Sequence, residues 1–117
     1  MKTLGWREYV LIRRKTDGKW IRFKAKLDTG ADRSRIGAKE AATLGLEPIV
    51  GIRKITTFGN GRRETRRVVS ASVRIGGHRI AVKFRLSTSK SGVLIGKSTM
   101  GKRFKISPSQ EYLSGKS

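Results

Sequence analysis

Cysteine is absent from this 117-residue chain, which removes disulfide frameworks and thiolate chemistry together. Histidine occurs once, as His78, too few for a Cys/His zinc cluster. No run approaches the roughly eighteen apolar residues that a membrane-crossing helix needs. Lys2 is followed by no apolar stretch of the signal-peptide kind, so the expected location is cytoplasmic, with no membrane partner. No glycine-rich nucleotide loop is present either: Gly96-Lys97-Ser98 and Gly115-Lys116-Ser117 both lack the upstream glycine at the required distance. Neither a cofactor nor a metal is therefore expected. Acids are scarce, with 8 Asp+Glu against 28 Lys+Arg, and the formal charge is +20. The basic residues run from Lys2 to Lys116 without forming a tail. Such a surface attracts polyanions, whether nucleic acid, ribosomes or an acidic polypeptide.

What the chain does have is alternation. Trp6 to Arg14 carries the β-rich run Tyr9-Val10-Leu11-Ile12. Trp20 to Leu27 sets Ile21, Phe23, Ala25 and Leu27 against Trp20, Arg22, Lys24 and Lys26, the pattern of a strand with one buried and one wet face. Asp17-Gly18 between them is a tight-hairpin signal. Arg33 to Ile36 is a short strand. Gly37 to Leu44 is rich in helix formers, Gly45 stops the helix, and Pro48 restarts an extended chain. Ile49 to Phe58 and Arg62 to Val69 are strands around a Gly59-Asn60-Gly61 turn. Val68 to Ile75 and His78 to Leu86 flank Gly76-Gly77, with Ile80, Val82, Phe84 and Leu86 on one face. Val93-Leu94-Ile95 is a buried strand, Lys97 to Met100 a helical turn, and Lys102 to Ser107 a last strand ended by Pro108. Met1 to Gly5 is expected to be loose. The sum is a single all-β domain over residues 1–117 with one short helix, and its Gly-rich turns favour a barrel or sandwich.

One stretch carries chemistry. In Lys26-Leu27-Asp28-Thr29-Gly30-Ala31-Asp32 a strand delivers a carboxylate, a hydroxyl and a glycine to a tight loop. Gly92-Val93-Leu94-Ile95-Gly96 answers it near the other end, apolar and closed by glycine but without an acid. Taken alone, Asp-Thr-Gly is an ordinary turn in which threonine bonds locally. Its weight comes from the second motif and from the order of the two.

Lys24 to Ile36 resembles the active-site strand of retropepsins, in which Asp-Thr-Gly is followed by Ala and often by Asp, as at Ala31 and Asp32. Leu94-Ile95-Gly96 is similar to that family's apolar-apolar-Gly motif. Phe58-Gly59-Asn60-Gly61 falls where the flap tip belongs, and Arg74 to Ile80 resembles the hairpin after the flap. A closer resemblance is to a bacterial and archaeal subgroup labelled ATP-dependent zinc protease and associated with ATP-grasp glutamate ligases. It extends over about residues 24–116 and includes the tail Ile106-Ser107-Pro108-Ser109-Gln110-Glu111-Tyr112-Leu113-Ser114-Gly115-Lys116.

The resemblance implies a retropepsin-like (acid protease) closed barrel in a single-lobe subunit, working as a homodimeric aspartic endopeptidase. Two Asp28 carboxylates, one from each copy, would share a proton and activate water for peptide-bond hydrolysis. Thr29 would reach across the two-fold axis, and Gly30 would let substrate approach the backbone. Ala31 and Asp32 would line the substrate site, with Asp32 either pairing with Lys97 or receiving substrate N–H groups. Phe58, Gly59, Asn60, Gly61 and Arg62 would form the lid over the substrate. Leu94, Ile95 and Gly96 would thread behind the catalytic loop as support. Arg62, Arg63, Arg66 and Arg67 are candidates to contact an acidic substrate such as a glutamate-rich chain. Two other readings stay open: a basic β-barrel that binds nucleic acid or the ribosome, with Asp28 incidental, and a retropepsin fold that binds without cleaving.

Overall fold

A computed structural model describes the backbone of residues 2–57, 60–101 and 103–114, and the side chains of these residues outside 49–66. Nine strands and two short helices follow one another. They are β1 (Lys2–Gly5), β2 (Arg7–Arg13), β3 (Trp20–Asp28), β4 (Ser34–Gly37), α1 (Ala38–Thr43), β5 (Ile49–Thr57), β6 (Asn60–Ile75), β7 (His78–Ser87), β8 (Val93–Gly96), α2 (Lys97–Met100) and β9 (Phe104–Ser107). Six of them run in the order β2-β3-β8-β4-β7-β6, and β6 returns to β2 through Leu11↔Arg74 and Ile12↔Val73. The sheet is thereby a closed barrel, which leaves no exposed edge along that ring. β5 adds as a hairpin arm on β6.

Alternation decides which side chains fill the barrel. Val10 and Ile12 of β2, Ala25 and Leu27 of β3, Ile36 of β4, Val73 and Ile75 of β6, Val82 and Phe84 of β7, and Val93 and Ile95 of β8 are all buried. Their even spacing puts them on the inner face, while the basic residues between them face out. The Asp17-Gly18 hairpin forms as its sequence indicates. The Arg14 guanidinium, 2.7 Å from Asp17 Oδ2, and the Lys19 amide hold the Asp17 carboxyl down to about 2.

Two sequence expectations change. Met1 to Gly5 was to be loose, but Lys2–Gly5 is a strand that pairs in parallel with β9. This small sheet caps the core: Leu4 and Phe104 are buried and press on the β6–β7 turn, where Gly76 and Gly77 adopt positive φ values of 52° and 82°. Asn60 and Gly61, expected in a turn with Gly59, instead begin β6 and pair with Thr57 and Thr56. The helical turn expected at Lys97 to Met100 forms and is a second short helix beside Ala38–Thr43.

Two contacts hold the barrel in the form that matters for the loop after β3. First, β8 is threaded between β3, to which it is parallel, and β4, to which it is antiparallel. At its end Gly96 lies so close to Arg33 that a Cβ there would sit 2.5 Å from the Arg33 carbonyl carbon. Its N–H donates to Ser34 Oγ at 3.0 Å, and the buried Ser34 hydroxyl lies 2.6 Å from Thr99 Oγ1. At the other end of β8, Gly92 N–H donates to Glu40 Oε1 of α1. Second, Glu8 is fully buried, and its carboxylate accepts from Gly5 N–H at 2.7 Å, Leu113 N–H at 2.9 Å and Ser114 Oγ–H at 2.7 Å. Tyr112 N–H donates to Arg7 O, and the Tyr112 ring stacks on Tyr9 at 4.6 Å, so residues 110–114 are fastened to the start of the barrel.

Both contacts are testable by unfolding. Gly96→Ala has to displace backbone rather than a side-chain tip, so a loss of about 1–3 kcal/mol is expected; unchanged thermal stability would mean the close approach does not exist. Glu8→Ala strands buried N–H donors, with an expected loss above about 2 kcal/mol. A loss below about 0.5 kcal/mol in denaturant titration would show that the tail is not held by this carboxylate.

Candidate functional site

Asp28 is the last residue of β3 and lies opposite Gly96 of β8. The chain must leave the sheet there, and it does so through the exposed residues Thr29 and Gly30. Gly30 N–H donates to Asp28 Oδ1 at 2.9 Å, and Ala31 N–H donates to Asp28 O at 3.2 Å. The carboxylate is thus oriented by its own loop, and a Cβ on Gly30 would sit 3.2 Å from Oδ1. Asp28 itself is half-buried, open to solvent on one side. The Thr29 hydroxyl has no hydrogen-bond partner among the described residues.

The loop is fixed from behind by the start of α2. Lys97 N–H donates to Ala31 O at 2.8 Å and Ser98 N–H to Asp32 O at 3.1 Å. Lys97 Nζ also meets Asp32 Oδ1 at 3.1 Å, so the acid–base pairing considered from sequence is made. Both side chains are largely exposed, at 65% and 82%, so this ion pair contributes at most about 1 kcal/mol and the backbone bonds do most of the fixing.

A cavity of about 380 Å3 opens beside Asp28. Ala31, Asp32 and Ser34 line it from the loop, and Leu94 from β8. Leu94 therefore faces this cavity, whereas Val93 and Ile95 on either side of it are core residues. Gly96 and Ile95 sit behind the loop. Three arginines also line the cavity: Arg33, Arg35 and Arg85. None of them was singled out from sequence. Arg35 alternates with the buried Ser34 and Ile36, and Arg85 follows the buried Phe84, so their outward direction was readable, but their meeting at Asp28 depends on β4 lying between β8 and β7.

The expected lid is only partly in view. Phe58 and Gly59 lie outside the described residues. Asn60, Gly61 and Arg62 fall at the start of β6, opposite Thr57, Thr56 and Ile55, and their side chains, like those of Arg63 and Arg66, also lie outside the described residues. Arg67 is exposed on β6, opposite Val50. A larger cavity, about 440 Å3, lies near Arg13, Arg14, Leu46 and Ala71, and no carboxylate of the described residues lines it.

Comparison with known proteins agrees with this geometry. No match was found among curated protein sequences. Among solved structures, a Legionella pneumophila protein of unknown function, Lpg0085, superposes with a TM-score of 0.65 at 16% identity, over 97% of this chain and 98% of that one. The retroviral protease-like domain of Ddi1 from Leishmania major gives 0.54 at 21% identity, over 86% and 76%. The EIAV protease, solved with an inhibitor, gives 0.56 at 19%, over 80% and 83%. At these identities the likeness establishes the fold, which is retropepsin-like. The aspartyl protease family model matches residues 13–99, a span running from the end of β2 into α2 and containing Asp28, Leu94 and Lys97; the chain belongs to the aspartyl protease family.

Proposed function

We propose that this protein is an aspartic endopeptidase that acts as a homodimer, with one Asp28 from each copy forming the catalytic pair. The observation that carries the reading is the oriented, half-exposed Asp28 carboxylate at the mouth of a cavity, on a loop anchored from behind by backbone bonds. One carboxylate is not enough for this chemistry. Hydrolysis needs one ionised carboxylate to take a proton from water and one protonated carboxyl to polarise the peptide carbonyl. Water then adds to the carbonyl carbon, the amine leaves with a proton, and the pair returns to its shared-proton state. Like charges brought this close resist double ionisation, which keeps the single proton in place. A two-fold axis beside the loop would supply the second Asp28 and would set the exposed Thr29 hydroxyl against the partner loop.

The reading extends to an acidic, glutamate-rich polypeptide as substrate, and to the subgroup associated with glutamate ligases. The charge of +20, the arginines lining the Asp28 cavity and the Ile106 to Lys116 tail support it. A positive cleft raises the local concentration of an acidic chain and discriminates against basic ones.

Cleavage of a peptide library that includes oligoglutamate-tailed members tests the reading. Asp28→Asn should lower the rate by about 10²–10⁴-fold. Adding an equal amount of Asp28→Asn protein to wild type should reduce the wild-type rate to about half, because half of the wild-type subunits then have a mutant partner. Undiminished activity on mixing would exclude the shared pair. Salt-dependent RNA binding that is the same in both proteins, with no cleavage by either, would favour the nucleic-acid-binding barrel instead.

A further inference from the structure

The strand registers assemble a row of cations across the outside of the barrel. Arg7 lies opposite Lys26, Lys26 opposite Leu94, Leu94 opposite Arg35, and Arg35 opposite Arg85. Directly opposed residues in a sheet point to the same face. The neighbouring row, Glu8, Ala25, Val93 and Ile36, is 0%, 2%, 5% and 0% exposed, so the cationic row faces outward. Its one apolar member is Leu94, at the centre.

This row runs through the Asp28 site. Arg35, Arg85 and Leu94 line the cavity that holds Asp28. A second cavity, about 320 Å3, is lined by Arg7, Lys26, Arg35 and Leu94. Arg35 and Leu94 belong to both, so the two cavities form one trough. Asp28 stands two residues beyond Lys26 on the same face of β3.

Like charges placed directly opposite each other destabilise a sheet. On this row it happens at Arg7/Lys26 and at Arg35/Arg85, as it also does on β6 and β7 at Arg74/Arg79, whose guanidinium groups both rest on the Trp20 ring. Among the described residues no acidic side chain pairs with Lys26 or Arg35. A polyanion bound in the trough would offset the repulsion there.

We propose that this row is a recognition track for an acidic polypeptide, with Lys26 and Arg35 as its specificity-determining residues. The substrate lies across β2, β3, β8, β4 and β7. Its carboxylates pair with the four cations, and its methylenes rest on Leu94. Strands are spaced about 4.8 Å apart, so the row measures roughly 19 Å along the sheet, the reach of about six extended residues. Alternate side chains of an extended chain fall on one side, so carboxylates at every second position meet the track. Single-stranded nucleic acid fits less well, because the row contains no aromatic side chain for base stacking. The nearest ring in the trough, Tyr112, is already stacked on Tyr9.

The inference rests on the protease reading only for what happens to the chain once bound. Binding is therefore measured with full-length Asp28→Asn protein, using fluorescein-labelled eight-residue oligoglutamate, oligoglutamine and oligo(dT). Oligoglutamate should bind at least about tenfold more tightly than oligoglutamine. Lys26→Gln and Arg35→Gln, added to Asp28→Asn, should each weaken it by about tenfold. The same charge change at exposed positions off the row, Lys39→Gln and Lys105→Gln, should change it less than twofold, with melting curves to show that every variant is folded. Equal weakening by on-row and off-row variants would reduce the effect to net charge and overturn the track. Oligo(dT) binding more tightly than oligoglutamate with the same dependence on Arg35 would overturn it in favour of nucleic acid. Selective oligoglutamate binding by a protein that never cleaves would leave the track standing and remove the protease reading.

Discussion

The passage of β8 between β3 and β4 is the constraint on which the rest depends. This one short strand has buried side chains on its inner face, Leu94 on its outer face, and a glycine at the point where it meets the Asp28 loop. Removing the Cβ at Gly96 is what lets the backbone of Arg33 come within van der Waals range. The chain then turns into α2, whose first N–H groups reach back to Ala31 and Asp32. Core packing, loop geometry and the floor of the cavity are therefore set by neighbouring residues on a single strand.

Charge works against that arrangement and gives it direction. Among the described residues the barrel interior is apolar apart from Glu8 and Ser34, both of which are hydrogen-bonded, so their excess of cations lies on the surface. Away from the trough, exposed cations such as the opposed pair Arg74 and Arg79 rest on the Trp20 ring. At the trough they stand in register across adjacent strands. The cost in folded stability there is tied to the same geometry that would hold an extended acidic chain.

Much of this was readable before the fold was known, for physical reasons that differ from one element to the next. The alternation in Trp20 to Leu27 and in Ile80 to Leu86 reports a half-buried strand directly, and Asp17-Gly18 reports its turn. Asp28, Ala31 and Asp32 were legible because loop chemistry is local in sequence. Leu94 is buried, as expected of Val93-Leu94-Ile95, but a run of three apolar residues does not say which one turns to the cavity, and that is decided by the register with Lys26 and Arg35. Arg35 and Arg85 are far apart in sequence and come together only through the parallel pairing of β4 and β7. Lys2–Gly5 carries too little pattern to declare itself a strand, and it becomes one because β9 offers an edge. Glu8 shares the phase of Val10 and Ile12, but its burial was not foreseen, because apart from Gly5 the donors that satisfy it, Leu113 and Ser114, lie more than a hundred residues away.

That distance bears on how the molecule is made. Glu8 is enclosed by donors of which one, Gly5, is already present when its strand is synthesised, and the others, Leu113 and Ser114, are added more than a hundred residues later. The β1–β9 pairing has the same span, joining residues 2–5 to residues 104–107. A nascent chain emerging at about 5–20 residues per second thus carries an unsatisfied carboxylate and an open cap for several seconds. Closure waits on residues 104–114, so the barrel matures after synthesis of this stretch and not along with it, and a chain cut short before Leu113 would retain a buried charge with most of its donors missing.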